Sequence, residues 1–140
     1  MDIWITGSSG FLGGRLALAL RSGGHRVLGL SRKDSSHNQH DVSIDLSDKD
    51  APQELYRISG NWGRPDTVIH AACLKPGSGS LADHVRSNVM TTANLLQALA
   101  NFPPQQVVYI STLSINILPE LNAADNSLAS RNDLPYLITK

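Results

Sequence analysis

The chain has 140 residues, 41% apolar and 17% charged, which suits one domain with a buried core and excludes a disordered segment. Twelve acidic residues balance twelve basic ones, so neither nucleic acid nor a membrane surface is expected as a charge-driven partner. The single Cys73 cannot form an internal disulfide, the histidines lack ligand spacing, and no leader or run of about 20 apolar residues stands out. The expectation is a cytoplasmic protein without metal or membrane helix.

The apolar run Ile3–Ile5 reads as a buried strand that ends in Thr6-Gly7. Helical spacing then begins at Phe11, Leu12, Leu16 and Leu20, with glycines at 7, 10 and 13 between them. Strand, glycine turn and helix start are the setting in which a glycine motif is meaningful. Gly7 permits a tight turn, Gly10 lets backbone approach a pyrophosphate, and Gly13 lets helix and strand pack closely. The helix start then offers N–H groups and its positive dipole end to phosphates. The other reading is a glycine-rich surface loop.

Helix one runs from Phe11 to Ser22 and stops at Gly23-Gly24. Strand two, Arg26–Leu30, ends in Ser31-Arg32-Lys33. At this place a dinucleotide site carries an acid for the ribose 2′-hydroxyl of NAD or an Arg for the 2′-phosphate of NADP. Arg32 and Lys33, with no acid before Asp34, favour NADP over NAD; a solvated basic turn is the alternative. Residues 35–40 read as a polar loop, followed by an alternating strand, Val42–Leu46, and a helix from Ala51 to Ser59 with Pro52 in its first turn.

Residues 60–65 read as a turn and Thr67–Ala71 as the next buried strand, leaving through the small side chains of Ala71, Ala72 and Cys73. His70 reads as a strand-end histidine satisfied by backbone, and Cys73 as a packing residue without a partnered base. A helix follows with Val85, Val89, Thr92, Leu96 and Leu99 on one face, ended by Asn101 and Pro103-Pro104. Strand five, Gln106–Ile110, emerges at Ser111-Thr112-Leu113-Ser114. A long irregular stretch, 115–133, precedes Pro135-Tyr136-Leu137-Ile138-Thr139-Lys140.

The turn Thr6-Gly7-Ser8-Ser9-Gly10-Phe11-Leu12-Gly13 resembles that of the short-chain dehydrogenase/reductase superfamily, in particular the extended branch, the NAD-dependent epimerase/dehydratase family. Ser87 to Leu96 resembles that family's Asn-Val-x-Gly-Thr-x-Asn-Leu-Leu, with Thr91 in place of Gly and Asn88 as anchor. His70 to Lys75 resembles its His-x-Ala segment. Strand–helix alternation with right-handed crossovers, together with the resemblance, implies an α/β, Rossmann-like doubly wound parallel sheet of order 3-2-1-4-5 spanning residues 1–140. The sheet would be cut off after the fifth main strand, with the substrate domain absent. The resemblance also implies cofactor contacts at Gly7, Ser9, Gly10, Phe11, Leu12, Gly13, Arg32, Asp45 and Leu46 (adenine), Ala71, Ala72, Cys73, Lys75, Asn88, Tyr136 and Lys140.

Tyr136 and Lys140 are four apart and share a helix face. A phenol titrates near 10, and an adjacent ammonium favours the phenolate form. Tyr136 would then exchange a proton with substrate while a nicotinamide exchanges hydride. A hydroxyl at the end of strand five would polarise the same oxygen; Thr112 is first choice and Ser111 second. The implied protein is an NAD(P)-dependent oxidoreductase, epimerase or dehydratase acting on a hydroxyl or carbonyl, with a nucleotide sugar as default substrate. This 140-residue piece should turn over poorly by itself, and a homodimer of the intact protein is compatible with the resemblance. A thioester reductase, from Ser111-Thr112-Leu113-Ser114, and a non-catalytic dinucleotide sensor are the competing readings.

Overall fold

The computed structural model describes residues 1–33, 40–112 and 134–140. The expected loop at 115–133, and that at 35–40 apart from His40, lie outside the described residues. β1 (Asp2–Thr6), β2 (Arg26–Ser31), β3 (Asp41–Ser43), β4 (Thr67–His70) and β5 (Gln106–Tyr109) form one parallel sheet in the order β3-β2-β1-β4-β5. This is the expected doubly wound order.

The sheet is apolar on both faces because helices cover both. Trp4 sits opposite Leu28 and Val68 in register. These side chains pack with Leu55 and Ile58 of α2 (Ala51–Trp62), Leu95, Ala98 and Leu99 of α4 (Thr91–Leu99), and Phe102. The alternate residues Ile3, Ile5, Val27 and Ile69 pack on the opposite face with Leu16, Ala17 and Leu20 of α1 (Phe11–Ser22). The sheet order reverses between β1 and β4, so a crevice opens at their carboxyl ends. None of the described helices is long and apolar enough to cross a membrane.

Two helices depart from the sequence expectation. α2 continues through Gly60 to Trp62 and ends at Gly63, whose φ is +98°. The helix expected from Val85 begins earlier. Ser80 and Asp83 form a reciprocal capping box at the start of α3 (Leu81–His84), a π-helical turn covers Val85–Met90, and α4 follows. Its inward face is His84, Asn88, Thr91, Leu95 and Ala98, whereas Val85, Val89 and Leu96 are exposed. The inward pattern is displaced by one residue from the apolar one. Asn88 and Thr91 sit inside with hydrogen-bond partners, which apolar periodicity does not reveal, while His84 Nε2 is buried without a partner among the described residues.

Candidate functional site

The glycine turn is latched to the neighbouring strand: the N–H groups of Gly7 and Ser8 donate to the Leu30 carbonyl at 2.8 and 3.4 Å. Gly7 has φ +71°, and a Cβ there would stand 2.8 Å from Ala72 Cα, so a side chain is excluded by conformation and by space. A Cβ at Gly13 would overlap the Gly7 carbonyl, so that glycine allows α1 to start directly against the turn. α1 has no side-chain cap and no acid in its first turn. The Phe11, Leu12 and Gly13 N–H groups, having no intrahelical partner, face the crevice end of the helix. This cradle fits a pyrophosphate.

Beside it lies a cleft of about 200 Å³, walled by Gly7, Ser9 and Gly10 on one side and Ala71, Ala72 and Cys73 on another. Arg32, Lys33, Asp45, Leu46, Ser87 and Thr91 complete its rim. Asp45 accepts from the Ser47 N–H at 3.0 Å and the Ser47 hydroxyl at 2.7 Å. Partial burial alone would raise its pKa; these bonds, with the charges of Arg32 and Arg86, outweigh it and hold the carboxyl below the usual range. A fixed carboxylate on this rim can accept from an amino or hydroxyl group of a ligand.

Just past the carboxyl end of β5, on the crevice side of the sheet, Lys140 Nζ donates to the Ile110 carbonyl at 2.7 Å and lies 4.8 Å from the centre of the Tyr109 ring. Burial holds its pKa below the ordinary lysine value. Lys140 stands immediately after α5 (Leu134–Thr139) and reaches the strand end two residues before Thr112. Tyr136 is half-buried on α5, its ring edge-on to His84 at 6.2 Å. His70 is buried, hydrogen-bonded through Nδ1 to the Thr6 hydroxyl at 2.6 Å and through Nε2 to the Thr92 hydroxyl at 2.9 Å. Side chains rather than backbone therefore satisfy it. Burial, and then the charge of Lys140, push its pKa down to about 4, leaving a neutral ring at ordinary pH. Among the described residues no group of three or more His, Cys, Asp or Glu could hold a metal.

The model of the NAD dependent epimerase/dehydratase family matches residues 3–139. The chain belongs to this family. The 2-alkyl-3-oxoalkanoate reductase of Stenotrophomonas maltophilia is 31% identical over 119 residues, covering 82% of this chain and 34% of that protein. MoeE5, solved in complex with UDP-glucose and NAD, superposes with a TM-score of 0.70 at 25% identity, over 99% of this chain and 45% of its own. The UDP-glucose 4-epimerase of Thermotoga maritima, solved with UDP-glucose, shares the fold at 21% identity, with a TM-score of 0.69 over 80% of this chain and 38% of its own. The chain thus spans about a third of the reductase and less than half of either solved structure.

In this epimerase/dehydratase chain, Gly7, Ser9, Gly10, Arg32, Asp45, Leu46, Ala71, Ala72 and Cys73 of the expected set line one cleft. Phe11 and Leu12 turn their side chains to solvent, leaving their backbone as the contribution, and Gly13 serves packing. Lys75 is exposed and outside the cleft lining. Asn88 is buried beneath the cleft, where Oδ1 accepts from the Leu74 N–H at 2.7 Å and Nδ2 donates to the Thr139 hydroxyl at 2.9 Å. Tyr136, Lys140 and Thr112 lie apart from the cleft's lining. Lys33, read with Arg32 as the basic end of β2, lines the cleft beside it, whereas Ser31, Ser87 and Thr91 were not singled out as site residues yet line it too. Ser87 and Thr91, four apart and flanking Asn88, carried a spacing signal that could have found them.

Proposed function

We propose that this chain is the dinucleotide-binding part of an NAD(P)-dependent oxidoreductase, epimerase or dehydratase acting on a hydroxyl or carbonyl group, with a nucleotide sugar as substrate class. The observation that carries the reading is Gly7, left-handed and pressed against Ala72, opening a cleft beside the unpaired first turn of α1. The N–H groups of Phe11 to Gly13 hold the pyrophosphate, Asp45 and Leu46 meet the adenine, and Ala71 and Ala72 leave room beside the ribose. The bound dinucleotide supplies the hydride acceptor or donor. Tyr136 moves the proton, Lys140 favours its phenolate and anchors the ribose, and Thr112 orients the reacting oxygen. The relatives' greater length supports a separate substrate-binding part in the whole protein. The exposed Cys73 suits a reducing, cytoplasmic setting.

The relative named 2-alkyl-3-oxoalkanoate reductase favours a second substrate reading, reduction of a ketone by the same residues. MoeE5, solved with UDP-glucose and NAD, favours the nucleotide sugar.

We also propose NADP over NAD, since Arg32 and Lys33 rim the cleft where β2 ends. A charge-assisted bond from Arg32 to the 2′-phosphate contributes about 1.5–3 kcal/mol. Titration of both dinucleotides should give tighter NADP binding in wild type. Arg32→Ala should then weaken NADP by roughly 10- to 100-fold while leaving NAD nearly unchanged. NAD binding equal to or tighter than NADP in wild type would refute the preference.

A further inference from the structure

A string of hydrogen bonds runs beneath the cleft from the glycine turn to the helix that carries Tyr136. The Ala72 N–H donates to the Thr6 hydroxyl at 3.1 Å, and Thr6 meets His70 Nδ1 at 2.6 Å. His70 Nε2 meets the Thr92 hydroxyl at 2.9 Å, and that hydroxyl donates to the Asn88 carbonyl at 2.7 Å. The Asn88 side chain continues to the Thr139 hydroxyl on α5, 2.9 Å away.

The donors and acceptors allow one arrangement. A carbonyl only accepts, so the single hydroxyl hydrogen of Thr92 is committed to Asn88. Thr92 must then accept from His70, which puts the ring proton on Nε2. Nδ1 of the neutral ring is left as an acceptor, and the Thr6 hydroxyl, already accepting from Ala72, donates to it. Thr6 and His70 are both buried, so any other tautomer leaves one of these groups unpaired away from water. His70 does not line the cleft, and its ring lies 5.6 Å from that of Tyr109, over which Lys140 sits. The two partners of His70 belong to β1 and to α4, so the ring is a polar link between elements that also share the core around Trp4.

We propose that His70, fixed as the Nε2–H tautomer, is a positioning residue that sets the glycine turn relative to the Tyr136 and Lys140 helix. The proposal rests on the dinucleotide reading. Spatial continuity alone does not establish coupling, so the test measures it. The ¹⁵N resonances of the His70 ring in the wild-type chain should report a neutral ring protonated at Nε2. Thr92→Val, close to isosteric, should release that preference and yield a tautomer mixture. In a double-variant cycle of Thr6→Val and Thr92→Val on dinucleotide affinity, the two hydroxyls do not touch each other, so independent packing losses should add. Transmission through His70 should instead make the double variant deviate from additivity by threefold or more. A wild-type ring protonated at Nδ1, or an additive cycle, overturns the proposal. The tautomer measurement stands even if a variant fails to fold. Failure of wild type to bind any dinucleotide would instead refute the functional reading, and is distinguishable because the tautomer is read without ligand.

Discussion

Replacing Tyr136 by Phe is expected to lower turnover by roughly 10²–10⁴-fold while leaving dinucleotide affinity nearly unchanged. The substitution removes one hydroxyl and keeps the ring that packs edge-on against His84. The helix position and the Asn88–Thr139 tie survive it, because neither involves the phenol oxygen. What is lost is the group proposed to exchange a proton with substrate. Lys140→Met should behave differently and damage both rate and affinity. Its ammonium is anchored on the Ile110 carbonyl and is proposed to serve the tyrosine and the ribose together. Steady-state rates and dinucleotide titrations in the whole protein, substrate-binding part included, separate the two patterns. Full turnover by Tyr136→Phe with normal dinucleotide binding would exclude Tyr136 as the acid/base and strengthen the sensor reading.

Phe102→Ala should destabilise the fold by about 3–5 kcal/mol, in the range of large-to-small changes at sealed aromatic positions. Phe102 is fully buried just beyond α4, where its N–H donates to the Leu99 carbonyl at 3.2 Å. Its ring lies 5.7 Å from that of Trp4 on the central strand and 6.3 Å from Tyr56 on α2. The side chain thus joins the sheet to both helices of that face, and α2 and α4 cannot both move to fill the space. Urea unfolding of wild type and variant measures the loss through the midpoint and slope. A loss under about 1 kcal/mol would mean that this core collapses readily or is not packed as described.

The sheet and the glycine turn were legible in the sequence because each rests on a local constraint. A left-handed Gly7 against Ala72 tolerates no side chain, and Trp4, Leu28 and Val68 alternate with Ile3, Ile5 and Val27 so that each helix-covered face is apolar. The order of strands followed from β–α alternation. The inward face of the α3–α4 segment was not legible. Its residues His84, Asn88 and Thr91 are polar, and the partner that holds Asn88 lies far away in sequence: Asn88 meets Thr139, 51 residues on. His70 illustrates the same limit, since its partner Thr6 is 64 residues distant and no local pattern announces that pairing. Gly29 was overlooked for a related reason: it looks like a weak spot in β2, yet a Cβ there would collide with the Asp41 carboxylate and the Ser8 hydroxyl. Tyr136 and Lys140 were visible as a spacing, but only the folded chain brings Lys140 to the end of β5.

The central claim is that the crevice between β1 and β4 is a dinucleotide site. It is tested most directly by titrating the ¹⁵N-labelled chain with NADP and with NAD while following its backbone amides. Saturable, single-site shifts centred on Gly7, Gly10, the Phe11–Gly13 amides, Arg32 and Ala71–Cys73 are predicted. A folded chain whose amides stay unmoved at millimolar dinucleotide, or whose shifts saturate on another face, would contradict the account.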